Sequence, residues 1–334
     1  MNTAIVILNY NGEKLLQQFL PGVIRNSPHA RIIVADNAST DNSVAMLQKD
    51  FPQVNLIKLD HNFGFCGGYN RALSQVEAKY YVLLNSDVEV TEGWLQPMLA
   101  LLEQQPGVAA VQPKILSYHR KDHFEYAGAG GGCLDALGYP FCRGRLFNYT
   151  EKDEGQYNDI RPVFWASGAC LVIRSEVYRQ FSGLDEDFFA HMEEIDLCWK
   201  IHRSGRQVLY CGISAVYHVG GGTLSQSSPV KTYYNFRNGL NLLIHHLPGW
   251  RLVLTLPLRI GLDYLAAVKF LVEGNASHAS SVLKAHFRVV TSLLNTVKKR
   301  RRLRQQLPYS IHNIYRGSVV LLYYLLGRKS IQLK

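Results

Sequence analysis

An α/β fold followed by a helical extension is what the 334-residue chain predicts, on three observations. Through residue 112, short apolar runs alternate with amphipathic stretches; polar residues close several of those runs; and from about residue 230 onward the spacing is helical with no convincing strand. Charge divides at nearly the same point. Residues 1–229 hold 19 Lys and Arg against 24 Asp and Glu, whereas residues 230–334 hold 17 against 2. An acidic head and a strongly basic tail are different electrostatic objects, and the tail calls for an anionic partner.

The runs at 4–8, 31–35, 54–59, 80–84 and 108–112 are rich in Val, Ile, Leu and Tyr, as strands buried on both faces of a parallel sheet require. Between them, 14–24, 43–49, 68–76 and 95–103 carry helical spacing, with Asp41 and Thr91 placed to cap the helices that follow. This alternation puts helices on both faces of the sheet. Residues 117–160 break the rhythm and read as a long functional loop, with 128–132 as its most flexible piece. Order returns at 163–173, then a helix from about Ser175, an acidic run at 185–196, a helix through Trp199, and strands at 207–210 and 215–218.

At 47% hydrophobic and 19% charged, the composition is that of a globular protein. Six cysteines stand at 66, 133, 142, 170, 198 and 211 without a Cys-x-x-Cys pair, and residues 1–8 lack the basic flank of a signal peptide. Reduced thiols in the cytoplasm are therefore expected.

In open α/β sheets ligands gather at the carboxyl ends of the strands. Asn9-Tyr10-Asn11 ends the first strand, Asp36-Asn37 the second and Asn85-Ser86-Asp87 the fourth. A single aspartate in such a place is usually a cap or turn residue. Several such ends on one sheet outline a polar rim.

Four motifs occur in order: Ile5-Val6-Ile7-Leu8-Asn9-Tyr10-Asn11-Gly12, Val34-Ala35-Asp36-Asn37-Ala38-Ser39-Thr40-Asp41, Asn62-Phe63-Gly64-Phe65-Cys66-Gly67-Gly68-Tyr69-Asn70 and Leu84-Asn85-Ser86-Asp87. Over residues 3–240 the chain resembles the inverting family 2 of glycosyltransferases, and particularly its bacterial rhamnosyltransferase-like branch. That resemblance implies a GT-A fold, a mixed and mostly parallel nucleotide-binding sheet flanked by helices. The catalytic domain would span 1–228, with a nucleotide-sugar half at about 1–115 and an acceptor half at about 116–228, before the extension at 229–334. It further implies transfer of a sugar, with inversion, from a nucleoside diphosphate sugar to a hydroxyl of a saccharide or lipid-linked saccharide. Asp36 would bind the base with Asn9 and Asn11 beside it; Asn62, Gly64 and Asn70 would shape the wall; Asn85, Ser86 and Asp87 would face the diphosphate. Asn85 stands where the family often has Asp, which suggests a weak, substrate-assisted site for Mg²⁺ or Mn²⁺ on Asp87 and His218.

In the second half, Trp165 and Gly168 would lie on the acceptor side, and His191-Met192-Glu193-Glu194-Ile195-Asp196 would carry the paired acids. The resemblance makes Glu194 the base, Glu193 an acceptor contact, and Asp196 a neighbour of the adjoining helix or substrate. Glu194 stands where the family commonly has Asp. Crowded carboxylates can raise one pKa toward neutrality, as a base requires. A nucleotidyltransferase would need a glycine-rich, basic triphosphate loop after the first strand, which Asn9-Tyr10-Asn11-Gly12 does not provide. An inactive membrane-attached scaffold would be expected to have lost Asp36, Asp87 or the acidic run.

In the tail, residues 252–272 look like a membrane span until Arg259, Asp263 and Lys269 are counted. Leu283, Phe287, Val290, Leu294 and Val297 share one helical face, and a basic run at 298–304 follows. Peripheral attachment to an anionic membrane on its cytoplasmic face is the expectation. No nucleic-acid recognition module accompanies the basic run, so no nucleic-acid partner is expected.

Overall fold

The computed structural model describes residues 2–220, 228–309 and 313–331. The chain opens with β1 (Thr3–Asn9), α1 (Glu13–Asn26), β2 (Arg31–Asp36), α2 (Ser43–Asp50), β3 (Asn55–Lys58), α3 (Gly64–Leu73) and β4 (Tyr80–Asn85). It continues through β5 (Val88–Val90), α4 (Gln96–Gln104) and β6 (Val108–Ser117). Four short strands follow, β7 (Gly132–Asp135), β8 (Pro140–Cys142), β9 (Arg145–Leu146) and β10 (Tyr149–Thr150), then β11 (Ile160–Pro162) and β12 (Cys170–Arg174). Next come α5 (Ser175–Gln180), a 3₁₀ turn at Glu186–Phe188, α6 (Glu193–Arg203) and β13 (Gln207–His218).

The main sheet runs β11-β13-β6-β12-β4-β1-β2-β3, with β5 added to β13. Strands β4, β1, β2 and β3 are parallel, with α1, α2 and α3 crossing over between them, and β3, at the edge, is only partly covered rather than buried. β12 enters antiparallel between β4 and β6, and β13 lies parallel to β6, so the sheet is mixed and mostly parallel. Two apolar clusters fill its faces, one under α3 and α6 and the other under α1 and α4.

Asp41 holds two helices at once: Oδ2 accepts from the Glu13 N–H of α1 and Oδ1 from the Ser43 N–H of α2. Thr91 does not cap. Helix α4 starts five residues later, and the Thr91 hydroxyl instead donates to the Ala215 carbonyl. The runs at 207–210 and 215–218 are one strand, β13, whose register shifts between Cys211 and Ala215.

Residues 117–160, expected as a flexible loop, are largely ordered. Their strands make a second sheet, β10-β9-β8-β7, completed by β14 (Ile314–Tyr315) from the tail, a strand that helical spacing gave no reason to expect. Gly132 shows why the glycine run is rigid: a Cβ there would lie 2.2 Å from the Trp165 ring, so the ring needs the bare backbone beneath it.

The extension consists of α7 (Pro229–His246), α8 (Gly249–Val272), α9 (Ala276–Thr291), α10 (Leu293–Gln306) and α11 (Val319–Tyr324). It is not hung on a linker. Leu242, Leu243 and Leu247 enter the same core as Trp165 and Trp199. Helix α8 is patterned inside out. Thr255, Arg259, Asp263 and Ala267, spaced by four, form its buried stripe, while Val253, Leu254, Leu258, Leu265, Val268 and Val272 are exposed. Two of the three charges that interrupt residues 252–272 thus point inward, Lys269 staying exposed: Arg259 Nε donates to Asp263 at 2.8 Å, and Tyr139 and His286 complete that carboxylate's contacts at 3.0 and 3.2 Å. Among the described residues no helix is long and apolar enough to cross a membrane. Asp263→Ala would strand the buried Arg259 guanidinium, and a loss of about 3–5 kcal/mol in chemical denaturation is expected; a loss below about 1 kcal/mol, the range of an exposed pair, would show the charge to be solvated.

Candidate active site

The carboxyl ends of β1, β2 and β4 meet in one polar rim. Asn9 Nδ2 donates to Asp36 Oδ1 at 3.0 Å and to Ser39 Oγ at 3.1 Å, while Asp36 Oδ2 accepts from the Ser39 N–H. Asn9 is fully buried and its Oδ1 has no protein partner, leaving an acceptor for a ligand beside the Asp36 carboxylate. Asn11, at φ 52°, is spent on the backbone: its Oδ1 accepts from the N–H groups of Thr40 and Asp41, which closes the β2–α2 loop over the rim.

Asn62 accepts from Asn37 Nδ2 at 2.9 Å and from the Gly64 N–H at 2.8 Å, fixing the turn into α3. Gly64, at φ +69°, lies under Phe189, and a Cβ there would come within 2.7 Å of that ring. Asn70 looks away from the base. It donates to the Leu184 carbonyl and accepts from Tyr178 Oη and the Leu184 N–H, tying α3 to the acidic segment. Asn85 and Ser86 are half-buried at the end of β4. Trp165 is sealed in the core with its Nε1 donating to the Cys133 carbonyl, and Gly168 is half-buried against Phe65.

Asp87 and His218 are brought together across β5 and β13. His218 Nε2 lies 3.2 Å from Asp87 Oδ1, and Nδ1 lies 3.2 Å from Glu125 Oε2. Burial works against charge on His218, but the two carboxylates overcome it and push its pKa up to about 10. Burial likewise opposes the Asp87 charge, and His218 outweighs it, holding the carboxyl below its usual value. At 3.2 Å Asp87 Oδ1 and His218 Nε2 form a charge-assisted pair, and Nε2 would have to release its proton before both could face one Mg²⁺ or Mn²⁺. Among the described residues no group of three or more His, Cys, Asp or Glu forms a cation cage. Glu125 is a site residue that the sequence did not reveal. It sits in the 117–160 segment with no motif around it, and only the fold carries it to His218. Of the glycines after His218, Gly221 and Gly222 lie outside the described residues.

The acidic segment enters the site through three left-handed residues, Phe189, His191 and Met192, at φ 64°, 66° and 74°. Such conformations are costly for side chains of this size and persist only when held from outside. Asn238 of α7 does the holding: its buried Nδ2 donates to the carbonyls of Phe188, Ala190 and His191 at 3.0, 2.9 and 2.7 Å. Arg237 adds bonds to the Asp187 and Phe188 carbonyls, and Lys299 of α10 pairs with Asp185 and Asp187. Tyr234 stacks on Phe189 at 5.4 Å.

Glu193 and Glu194 start α6, each with a buried Oε2 that has no protein partner. Glu193 is the deeper one. Burial, and after it the Glu194 charge, pushes its pKa well above the usual carboxylate range. Glu194 is half-buried, and burial raises its carboxyl to about 7. Asp196 is drawn out of the site. Lys200 at 2.6 Å and His246 at 2.7 Å overcome its burial and keep it ionised, and His245 stands 3.8 Å away. It joins α6 to α7.

The model of glycosyl transferase family 2 matches residues 4–181. An N-acetylglucosaminyl-diphospho-decaprenol L-rhamnosyltransferase of Mycobacterium tuberculosis is 26% identical over 233 residues, 64% of this chain and 75% of that protein. Rhamnosyltransferase WbbL of Escherichia coli is 25% identical over 218 residues, 62% of this chain and 79% of that protein. Among solved structures, mannosyltransferase PcManGT of Pyrobaculum calidifontis, in complex with GDP-Man and Mn²⁺, superposes with a TM-score of 0.53 at 13% identity, covering 86% of this chain and 87% of that one. GalNAc-T7 with UDP, GalNAc and Mn²⁺ gives 0.57 at 16% identity over 73% of this chain, which spans about half of that one (48%).

Proposed function

Because the chain belongs to glycosyl transferase family 2 and has a GT-A fold, its activity is glycosyl transfer in glycan or polysaccharide synthesis, and we propose that it moves a deoxyhexose or hexose from a nucleoside diphosphate sugar to a lipid-linked saccharide, with inversion. The observation that carries this reading is the pair of carboxylates at the start of α6, each with a buried Oε2 that no protein group satisfies, in a chain whose β1 and β2 end in the Asn9–Asp36 rim. Glu193, whose carboxyl burial pushes up, can donate a hydrogen bond to the acceptor in its protonated form. Glu194, poised near neutrality, takes the proton of the attacking hydroxyl as that oxygen displaces the nucleoside diphosphate from the far side of the sugar. Asn9 and Asp36 receive the base. Asp87 and His218 would hold Mg²⁺ or Mn²⁺, which, when bound, neutralises charge gathering on the departing diphosphate. Glu125 orients the His218 ring, as carboxylates behind metal-ligating histidines do.

The named relatives of the rhamnosyltransferase branch support dTDP-rhamnose as donor, ahead of a UDP-sugar. Release of nucleoside diphosphate, followed across dTDP-rhamnose, UDP- and GDP-sugars with a prenyl-diphosphate-linked saccharide as acceptor, tests this. Turnover is expected first with dTDP-rhamnose, and acceptor-independent release of nucleotide from every donor alike would defeat the reading.

The tail is proposed to hold the protein peripherally on an anionic membrane, at the cytoplasmic face. Support comes from its exposed apolar surface: Leu258 and Leu265 on α8, Phe287 and Val290 on α9, and Leu294 on α10 all stand open. The basic run needs a correction. Arg300 is buried and donates to the carbonyls of Ile244 and Leu247, and Lys299 is spent on Asp185 and Asp187. Lys298, Arg301 and Arg302 remain free for headgroups, at about 1 kcal/mol each. Changing these three to Gln is expected to weaken flotation with anionic vesicles by about two orders of magnitude at low salt, and Phe287→Ser with Leu294→Ser should lower binding even at high salt. Flotation that neither set of changes reduces would leave the membrane without a role.

A further inference from the structure

Two cations make no ion pair among the described residues. Arg145 of β9 is buried, with its guanidinium 4.2 Å above the Tyr126 ring, its Nε without any acceptor, and only Cys142 Sγ reached by Nη2, at 3.6 Å. Lys231, in the first turn of α7, stands over the same ring at 5.4 Å and is half-buried. Among the described residues neither makes an ion pair with a carboxylate. Glu125, whose charge reaches both, is already spent on His218 and on the Ala127 N–H. Two desolvated like charges at one ring are costly unless an anion completes them.

Two neighbours indicate which anion. On one side, burial lowers the pKa of His191, two residues before Glu193, and Lys231 lies close enough to lower it further. On the other side lies Tyr324 of α11, whose pKa burial raises and to which Tyr126 makes a small electrostatic contribution, and α11 is followed by the exposed Leu325 and Leu326. An anion here has the base at one end and an apolar surface at the other. We propose that Arg145 and Lys231 are the subsite for the diphosphate of a prenyl-diphosphate-linked acceptor, whose sugar reaches Glu194 and whose chain leaves along α11. Guanidinium and ammonium together suit a diphosphate, with a planar fork for one phosphate and a point charge for the other. This inference rests on the lipid-linked acceptor reading and adds the residues that would recognise it.

The probe is farnesyl diphosphate, titrated calorimetrically into the full-length protein, with dTDP and Mn²⁺ titrated separately. Arg145→Met with Lys231→Met should weaken farnesyl diphosphate by about tenfold or more and leave dTDP affinity within about twofold. Lys231→Met alone, at a half-exposed position, should give part of the same loss and keeps the test open if the double variant does not fold. Unchanged farnesyl diphosphate binding in both variants overturns the subsite. Loss of dTDP binding in its place overturns it too, since the cations would then serve the donor. A wild-type protein that ignores farnesyl diphosphate yet glycosylates an acceptor without a lipid would sink the lipid-linked reading itself, whereas wild-type binding that the variants preserve sinks only the assignment of residues.

Discussion

Glu194→Gln is expected to lower kcat by about 10²–10⁴-fold while donor affinity stays put. The amide keeps the shape of the side chain and cannot accept the hydroxyl proton. Glu193→Gln should be mild by comparison, because burial already pushes that carboxyl toward its neutral form and an amide can still donate a hydrogen bond. With the Glu194 carboxyl raised to about 7, kcat should climb with pH and reach half its plateau near that value. Stability moves the other way. Above the ordinary value of 4.5 the unfolded chain has released a proton that the folded chain retains, so Glu194's contribution falls as pH rises from about 4.5 to about 7. A crippled Glu193→Gln beside a normal Glu194→Gln would exchange their roles.

Asp87→Ala and His218→Ala are expected to abolish Mn²⁺-dependent binding of the nucleoside diphosphate, read as a loss of about 10²-fold or more in affinity against the wild type with metal. Turnover should vanish in chelator and return with Mg²⁺ or Mn²⁺. Glu125→Gln provides the graded control. It leaves both proposed ligands in place and removes the carboxylate behind the imidazole, for which about 10–100-fold in Mn²⁺ affinity is the usual cost. Paramagnetic resonance of free Mn²⁺ measures this without reference to catalysis. Full activity in excess chelator would remove the metal from the reaction.

Much of this was legible in the chain because parallel strands announce themselves. The runs at 4–8, 31–35 and 80–84 are continuous apolar stretches ending in polar residues, so both the sheet and its rim can be read locally. The acceptor side could not be read that way. Glu125, Asn238 and Arg145 act through partners 93, 50 and 19 residues away, at His218, Phe188 and Tyr126, and no spacing encodes such pairings. Helix α8 misled in an instructive manner. Arg259 and Asp263 counted only as interruptions of a membrane span, yet they are the interior of an inside-out helix, whose outer face is the apolar one. Asp196 was grouped with its acidic neighbours, but one turn of helix separates a carboxylate facing the site from one that locks α6 to His246.

The Asn238 clamp has a bearing on how such enzymes can be recombined. Three carbonyls of one segment hang on a single amide that lies about fifty positions downstream. The loop that presents the base and the helix that begins the tail are therefore two halves of one heritable unit. A chimera that takes its acceptor loop from one relative and its tail from another would inherit backbone turns with nothing to hold them, unless the graft also carries Asn238 and Lys299. Cutting the chain at residue 228 to obtain a tail-free enzyme divides that unit in the same place, and drift in one half is constrained by the other.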